Sequence, residues 1–80
     1  MPTAFRQEGF RFFFYSNEGD PREPVHVHVL GPDGEAKIWL HPIKVSRYKG
    51  FDFRTLRRIC RVVESNKSLI GDAWHEHFGD

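Results

Sequence analysis

Residues 24–29 read Pro-Val-His-Val-His-Val, and the strict alternation of valine with histidine is that of a strand buried on one side only. Val25, Val27 and Val29 share one face, and His26 and His28 share the other. At about 3.3 Å of rise per residue, the two histidine Cα atoms stand roughly 6.5–7 Å apart. Two imidazoles held side by side on a rigid strand suit proton transfer, phosphate contact or metal ligation. Such a strand also demands neighbours in a sheet and something apolar beneath it. In 80 residues there is room for one core of that kind, so residues 1–80 are read as a single domain.

The composition supplies that core. Hydrophobic residues make up 39% of the chain and aromatics 15%, too apolar a mixture for a disordered segment. The formal net charge of +1 gives no molecule-wide field toward nucleic acid or membrane, so local basic clusters have to carry any such role. Cys60 is the single cysteine, which excludes an internal disulfide and suits a reducing cytoplasm. Met1 to Arg6 show no apolar leader region, and no apolar run approaches the ~20 residues of a membrane span. A cytoplasmic location with no membrane partner is expected.

Ala4–Gln7, Phe10–Tyr15, Val25–Leu30 and Glu35–Leu40 read as strands, the second being rich in residues that fit a pleated surface. Gly9 suits a tight turn, residues 16–24 form a connecting loop, and Gly31-Pro32-Asp33-Gly34 is a turn signal. Pro42 ends the fourth strand, and Ile43 to Arg47 read as a further short extended piece. Asp52 is a candidate N-cap, followed by the helical stripe Leu56, Ile59, Cys60 and Val63. Cys60 on that stripe reads as an inert core residue. Asn66 to Ser68 mark a weak point; Leu69, Ile70, Ala73, Trp74 and Phe78 continue the apolar side, and Gly79 is a natural stop. The expected fold is α+β: a small antiparallel sheet of about four strands, with a C-terminal segment of one or two helices packed on one face.

Val27, Val29, Ile38 and Leu40 have to face the core together, which restricts the hairpin between the third and fourth strands to two registers. A loop centred on Pro32-Asp33 sets His28 opposite Lys37 and His26 opposite Trp39. A loop at Asp33-Gly34 sets His26 opposite His41 and His28 opposite Trp39. Either way the non-core face gathers His26, His28, Glu35, Lys37, Trp39 and His41. Phe10, Phe12 and Phe14 form an aromatic core face on the second strand, which sends Arg11, Phe13 and Tyr15 to the histidine side.

That face has three chemical readings. Cations and π-faces suit RNA, with the histidines as acid and base in backbone cleavage. The His-x-His pair also suits zinc, with Glu35 or His41 as a third ligand, although no cysteine pair or His-Glu-x-x-His spacing supports it. The third reading is an ordinary surface covered by a helix or a partner. Each feature has a bland counterpart: tryptophans in small domains belong to cores, and Arg54, Arg57, Arg58 and Arg61 suit a solvated helix face as well as a phosphate-tracking stripe. His75 and His77 lie about 200° apart around a regular helix and cannot chelate one ion together.

Several segments occur in a familiar order. They are Phe5-Arg6, Phe12-Phe13-Phe14-Tyr15-Ser16-Asn17-Glu18-Gly19, Pro24 with His26-Val27-His28-Val29, Gly34 to Leu40, Leu56-Arg57-Arg58-Ile59, and Ala73-Trp74-His75-Glu76 with Phe78. Together they resemble the small bacterial domain of unknown function 4160 family over nearly the whole chain. Val25 stands where the family's Pro-Pro-His-Val-His-Val has its second proline, residues 20–23 lengthen the preceding loop, and His77 stands where tyrosine is common. The resemblance implies a gene neighbour from unknown-function family 2442 and a role as toxin in a type II toxin–antitoxin-like module.

The expectation is therefore a toxin component acting on RNA, a metal-independent ribonuclease without cofactor, whose partner is a cognate antitoxin-like small protein. His26 and His28 are its candidate acid–base or phosphate-contacting pair, and Lys37 its candidate for stabilising phosphate charge. Arg11, Tyr15, Trp39, Arg54, Arg57, Arg58 and Arg61 are candidates for holding RNA or the partner. Glu18, Glu35, His41 and Glu76 are secondary candidates. The alternative is a non-catalytic regulatory module that binds protein or nucleic acid. A homodimer through an edge strand is left open by the sequence.

Overall fold

The computed structural model describes residues 3–16 and 23–79. Five strands come first, β1 (Thr3–Gln7), β2 (Phe10–Phe13), β3 (His26–Gly31), β4 (Gly34–Leu40) and β5 (Ile43–Lys49); two helices follow, α1 (Phe53–Ser65) and α2 (Lys67–Phe78). The strands form one antiparallel meander in chain order. This is the expected α+β fold with one strand more, because the stretch beginning at Ile43 is a full seven-residue strand rather than a short extended piece. Its pattern is disguised by a bulge. Ile43 and Val45 lie opposite Leu40 and Ile38, Ser46 is skipped, and Tyr48 lies opposite Ala36, so residues of both parities face the core.

Local chemistry sets the corners. Glu8 and Gly9 form the two-residue β1–β2 turn with φ of 54° and 84°, the doubly positive geometry that matches strand twist. Pro32-Asp33 joins β3 to β4, and Gly31 lies opposite Gly34. Gly34 is obligatory there, since a Cβ would collide with the Lys49 carbonyl; Gly50, at φ 89°, would collide in the same way with the Asp33 carbonyl. The β3–β4 tip and the β5–α1 junction are therefore packed backbone against backbone.

Asp52 caps α1 as expected, its Oδ1 accepting from the Thr55 N–H at 2.8 Å. That bond holds the Asp52 carboxyl below the ordinary carboxylate range. Leu56, Ile59, Val62 and Val63 turn the buried side of α1 onto the sheet. Cys60 departs from the expectation of a core residue: it is only half-buried, at the margin of the stripe, and burial pushes its thiol pKa up. The helix breaks at Asn66, whose side-chain N–H groups donate to the Val62 carbonyl at 2.8 Å and to Gln7 at 3.0 Å, tying the break to the end of β1. α2 then delivers Ile70 and Trp74 to the core formed by Phe12, Phe14, Val27, Val29, Ile38 and Leu40. Each such side chain contributes about 1.5–3 kcal/mol by leaving water.

Candidate functional site on the outer sheet face

The sheet face turned away from the helices is ordered by register into three rows. Arg6, Arg11, Leu30, Glu35 and Lys49 form the first; Phe13, His28, Lys37 and Arg47 the second; His26, Trp39 and Lys44 the third. Of the two registers open to the β3–β4 hairpin, the molecule takes the one centred on Pro32-Asp33. His28 lies opposite Lys37 and His26 opposite Trp39, while His41 sits in the exposed β4–β5 turn.

The middle of this face is closed. His26 is 0% exposed, His28 5% and Lys37 7%. The Nδ1–H of His26 donates to the Pro24 carbonyl at 2.9 Å, so a neutral ring carries its lone pair on Nε2. Around it stand His28, Trp39 and Trp74, with ring centroids at 5.2, 5.4 and 5.0 Å. Trp74 also meets Phe14 edge-on at 5.5 Å, so one indole touches both the core and the histidine face. His28 lies between Phe13 at 5.6 Å and Tyr15 at 4.5 Å. The Lys37 ammonium is 2.8 Å from Glu23 Oε1 and 4.5 Å from the Trp39 ring centroid. Lys37 is thus held by a carboxylate and a π-face, the environment of a paired structural cation.

Beside this closed centre the face opens into a recess of about 250 Å³, lined among others by Phe13, Tyr15, His28, Glu35, Arg47 and Lys49. Aromatic rings and an imidazole line it, while Arg47 and Lys49 bring positive charge from β5. The Arg11 guanidinium lies 4.8 Å from the Phe13 ring centroid and extends the same polarity. A flat aromatic group fits such walls, and anionic groups fit the surround.

Other expected residues lie elsewhere. Arg54, Arg57, Arg58 and Arg61 are exposed on α1, which covers the opposite side of the sheet. They therefore do not join the histidine face into one surface, because the sheet itself intervenes. Arg58 instead lies over Phe10 at 5.4 Å and 3.7 Å from Glu8. Glu76 is exposed on α2, and Glu18 lies outside the described residues. Among the described residues no three His, Cys, Asp or Glu side chains gather to hold a metal. No helix among them is long and apolar enough to cross a membrane.

Sequence reasoning missed Glu23, Lys44, Arg47 and Lys49. Strict alternation from Ile43 and Val45 would send Arg47 and Lys49 to the core side, and only the bulge at Ser46 returns them to the outer face. Glu23 had no local signal, since its partner is 14 residues away.

An antiparallel meander backed by two helices defines a small α+β domain with an aromatic, basic recess on its outer face. The model of a domain of unknown function family, DUF4160, matches residues 9–75, and the chain belongs to that family. No curated protein and no solved structure matches it.

Proposed function

We propose that this chain is an RNA-binding module that reads single-stranded RNA with its outer sheet face, within the bacterial two-protein setting implied by the family resemblance. The observation that carries the reading is the recess beside His28, with Phe13 and Tyr15 as stacking walls and Arg47 and Lys49 at its edge. Base–aromatic stacking is worth about 1–3 kcal/mol per base, and cations alongside supply phosphate contacts. Burial argues for binding rather than cleavage by the histidine pair. An acid–base mechanism needs both imidazoles at the substrate, and His26 is enclosed while Lys37 is engaged by Glu23. A toxin-like ribonuclease is the second reading. It is favoured by one observation, that His28 lines the recess, and it would rest on that single imidazole.

The test is fluorescence anisotropy with a labelled single-stranded RNA across a potassium chloride series. The wild type is expected to bind with a salt-dependent affinity. Arg47→Gln/Lys49→Gln should make the slope of log K against log salt shallower by about 1.4, at ~0.7 per phosphate contact on a single strand. Tyr15→Leu should weaken binding with the slope unchanged. Absence of binding at low salt, or a slope indifferent to the double substitution, refutes the reading. RNA recovered shortened by the wild type, and intact with His28→Gln, would move the assignment to the ribonuclease.

A further inference from the structure

A second recess lies away from the histidine face. It runs between β5 and α1, has a volume of about 750 Å³, and is floored by Ile43, Val45, Leu56 and Cys60. Tyr48 and Phe53 wall it, 47% and 71% exposed, an unusual way to leave two large rings that meet edge-on at 6.2 Å. Arg57 and Arg61 stand at its helical rim, with Glu64.

This groove lies along an open sheet edge. β5 ends the strand order, and among the described residues nothing pairs with its outer side. Its seven residues offer roughly 23 Å of backbone at 3.3 Å per residue. The bulge at Ser46 sorts its side chains: Ile43, Val45 and Tyr48 lie on the groove side, and Lys44, Arg47 and Lys49 on the other. A strand added to this edge would meet apolar surface on one face and a row of cations on the other. A second copy of the chain is a poor occupant, because β5 against β5 sets those cations against their own counterparts.

We infer that β5 and the groove beside it take an extended segment of a partner protein in which apolar residues alternate with Asp or Glu. The segment joins the sheet as a sixth strand. Its apolar side chains fill the groove against Val45, Leu56 and Phe53, and its carboxylates lie beside Lys44, Arg47 and Lys49. Acidic residues flanking the segment meet Arg57 and Arg61. Main-chain hydrogen bonds supply affinity, and the two-sided pattern supplies selectivity. This edge shares Tyr48, Arg47 and Lys49 with the recess beside His28, whereas Arg57, Cys60 and Arg61 line the groove alone, so a loss confined to those three separates this inference from the RNA reading.

The probe is a seven-residue peptide of alternating Glu and Val, added to the isotopically labelled full chain. Amide resonances of residues 43–49 should shift and gain protection from hydrogen exchange. Alkylation of Cys60, which lies on the groove floor, should slow by about tenfold at saturation, as expected when a transiently open site is covered. A peptide with Lys in place of Glu should bind at least about tenfold more weakly, and Arg57→Glu/Arg61→Glu should weaken the Glu peptide while leaving the fold intact. Alternate N-methylation of the Glu peptide should abolish the shifts. The inference is overturned if the Glu peptide does not bind, or binds no better than the Lys peptide. It is overturned equally if the shifts fall on Phe13 and His28 with Cys60 unprotected, or if β5 is already protected in a dimer of the chain alone.

Discussion

Lys37 and Glu23 allow the structural reading of the histidine face to be tested by arithmetic. At their 2.8 Å separation, two unit charges attract by about 6 kcal/mol at an effective dielectric constant of 20. Most of that is offset by stripping water from the Lys37 side chain, which is 9% exposed, while Glu23, at 40%, keeps much of its hydration. The expected net cost of Glu23→Gln is therefore about 1–2 kcal/mol, below the 3–5 kcal/mol of breaking a fully buried pair. In a domain of this size about 1 kcal/mol moves Tm by roughly 4–8 °C. Thermal unfolding followed by circular dichroism should show Glu23→Gln melting about 8 °C below the wild type. Lys37→Met keeps the stem and removes the buried charge, so it should cost less, and the double variant should match Lys37→Met alone. The reasoning fails if Glu23→Gln melts within about 2 °C of the wild type, or if Lys37→Met is the more damaging change. The ammonium would then be poised for a ligand rather than held by its carboxylate.

Three further outcomes are expected. His26→Ala should lose about 2–4 kcal/mol in urea unfolding, because it empties a site enclosed by Trp39, Trp74 and His28; a near-neutral result would mean that this packing is unimportant. Glu8→Asn should gain about 0.5 kcal/mol in the same assay, since asparagine tolerates the positive φ of the β1–β2 turn and the Arg58 contact it gives up is an exposed one. Asp52→Ala should lower stability at neutral pH by uncapping α1. Because the folded Asp52 carboxyl is held below its ordinary value, its contribution is complete above about pH 4 and fades as pH falls through the folded pKa, so wild type and variant should converge in acid. A constant difference down to low pH would mean that the charge of the cap is irrelevant.

What could be read from the sequence was what repeats locally. Alternation at Val25 to Val29 and on Phe10, Phe12 and Phe14 placed the core, and parity of the β3–β4 hairpin narrowed the pairing to two registers, one of which occurs. Asp52 as cap and Asn66 as break were legible because each acts on the backbone within four residues. What was hidden depends on events that no local period encodes. A single skipped residue, Ser46, reverses the facing of Arg47 and Lys49. The helix arginines keep their own exposed face, but which side of the sheet α1 covers decides that they stand apart from the histidines. His26 has the strand pattern of a surface base, and Trp74, 48 positions on, joins Trp39 and His28 in enclosing it.

The meander has a consequence for how this chain comes into being. Every strand pairs with its neighbour in sequence, so the sheet assembles from short-range contacts and zips up quickly. Its apolar cover is supplied by α1 and α2, which are synthesised after all five strands. Until those helices dock, Phe12, Val27, Val29 and Ile38 lack the cover they have in the folded molecule. Arg6 on one edge strand, and Lys44, Arg47 and Lys49 on the other, place positive charge where unpaired strands would otherwise associate.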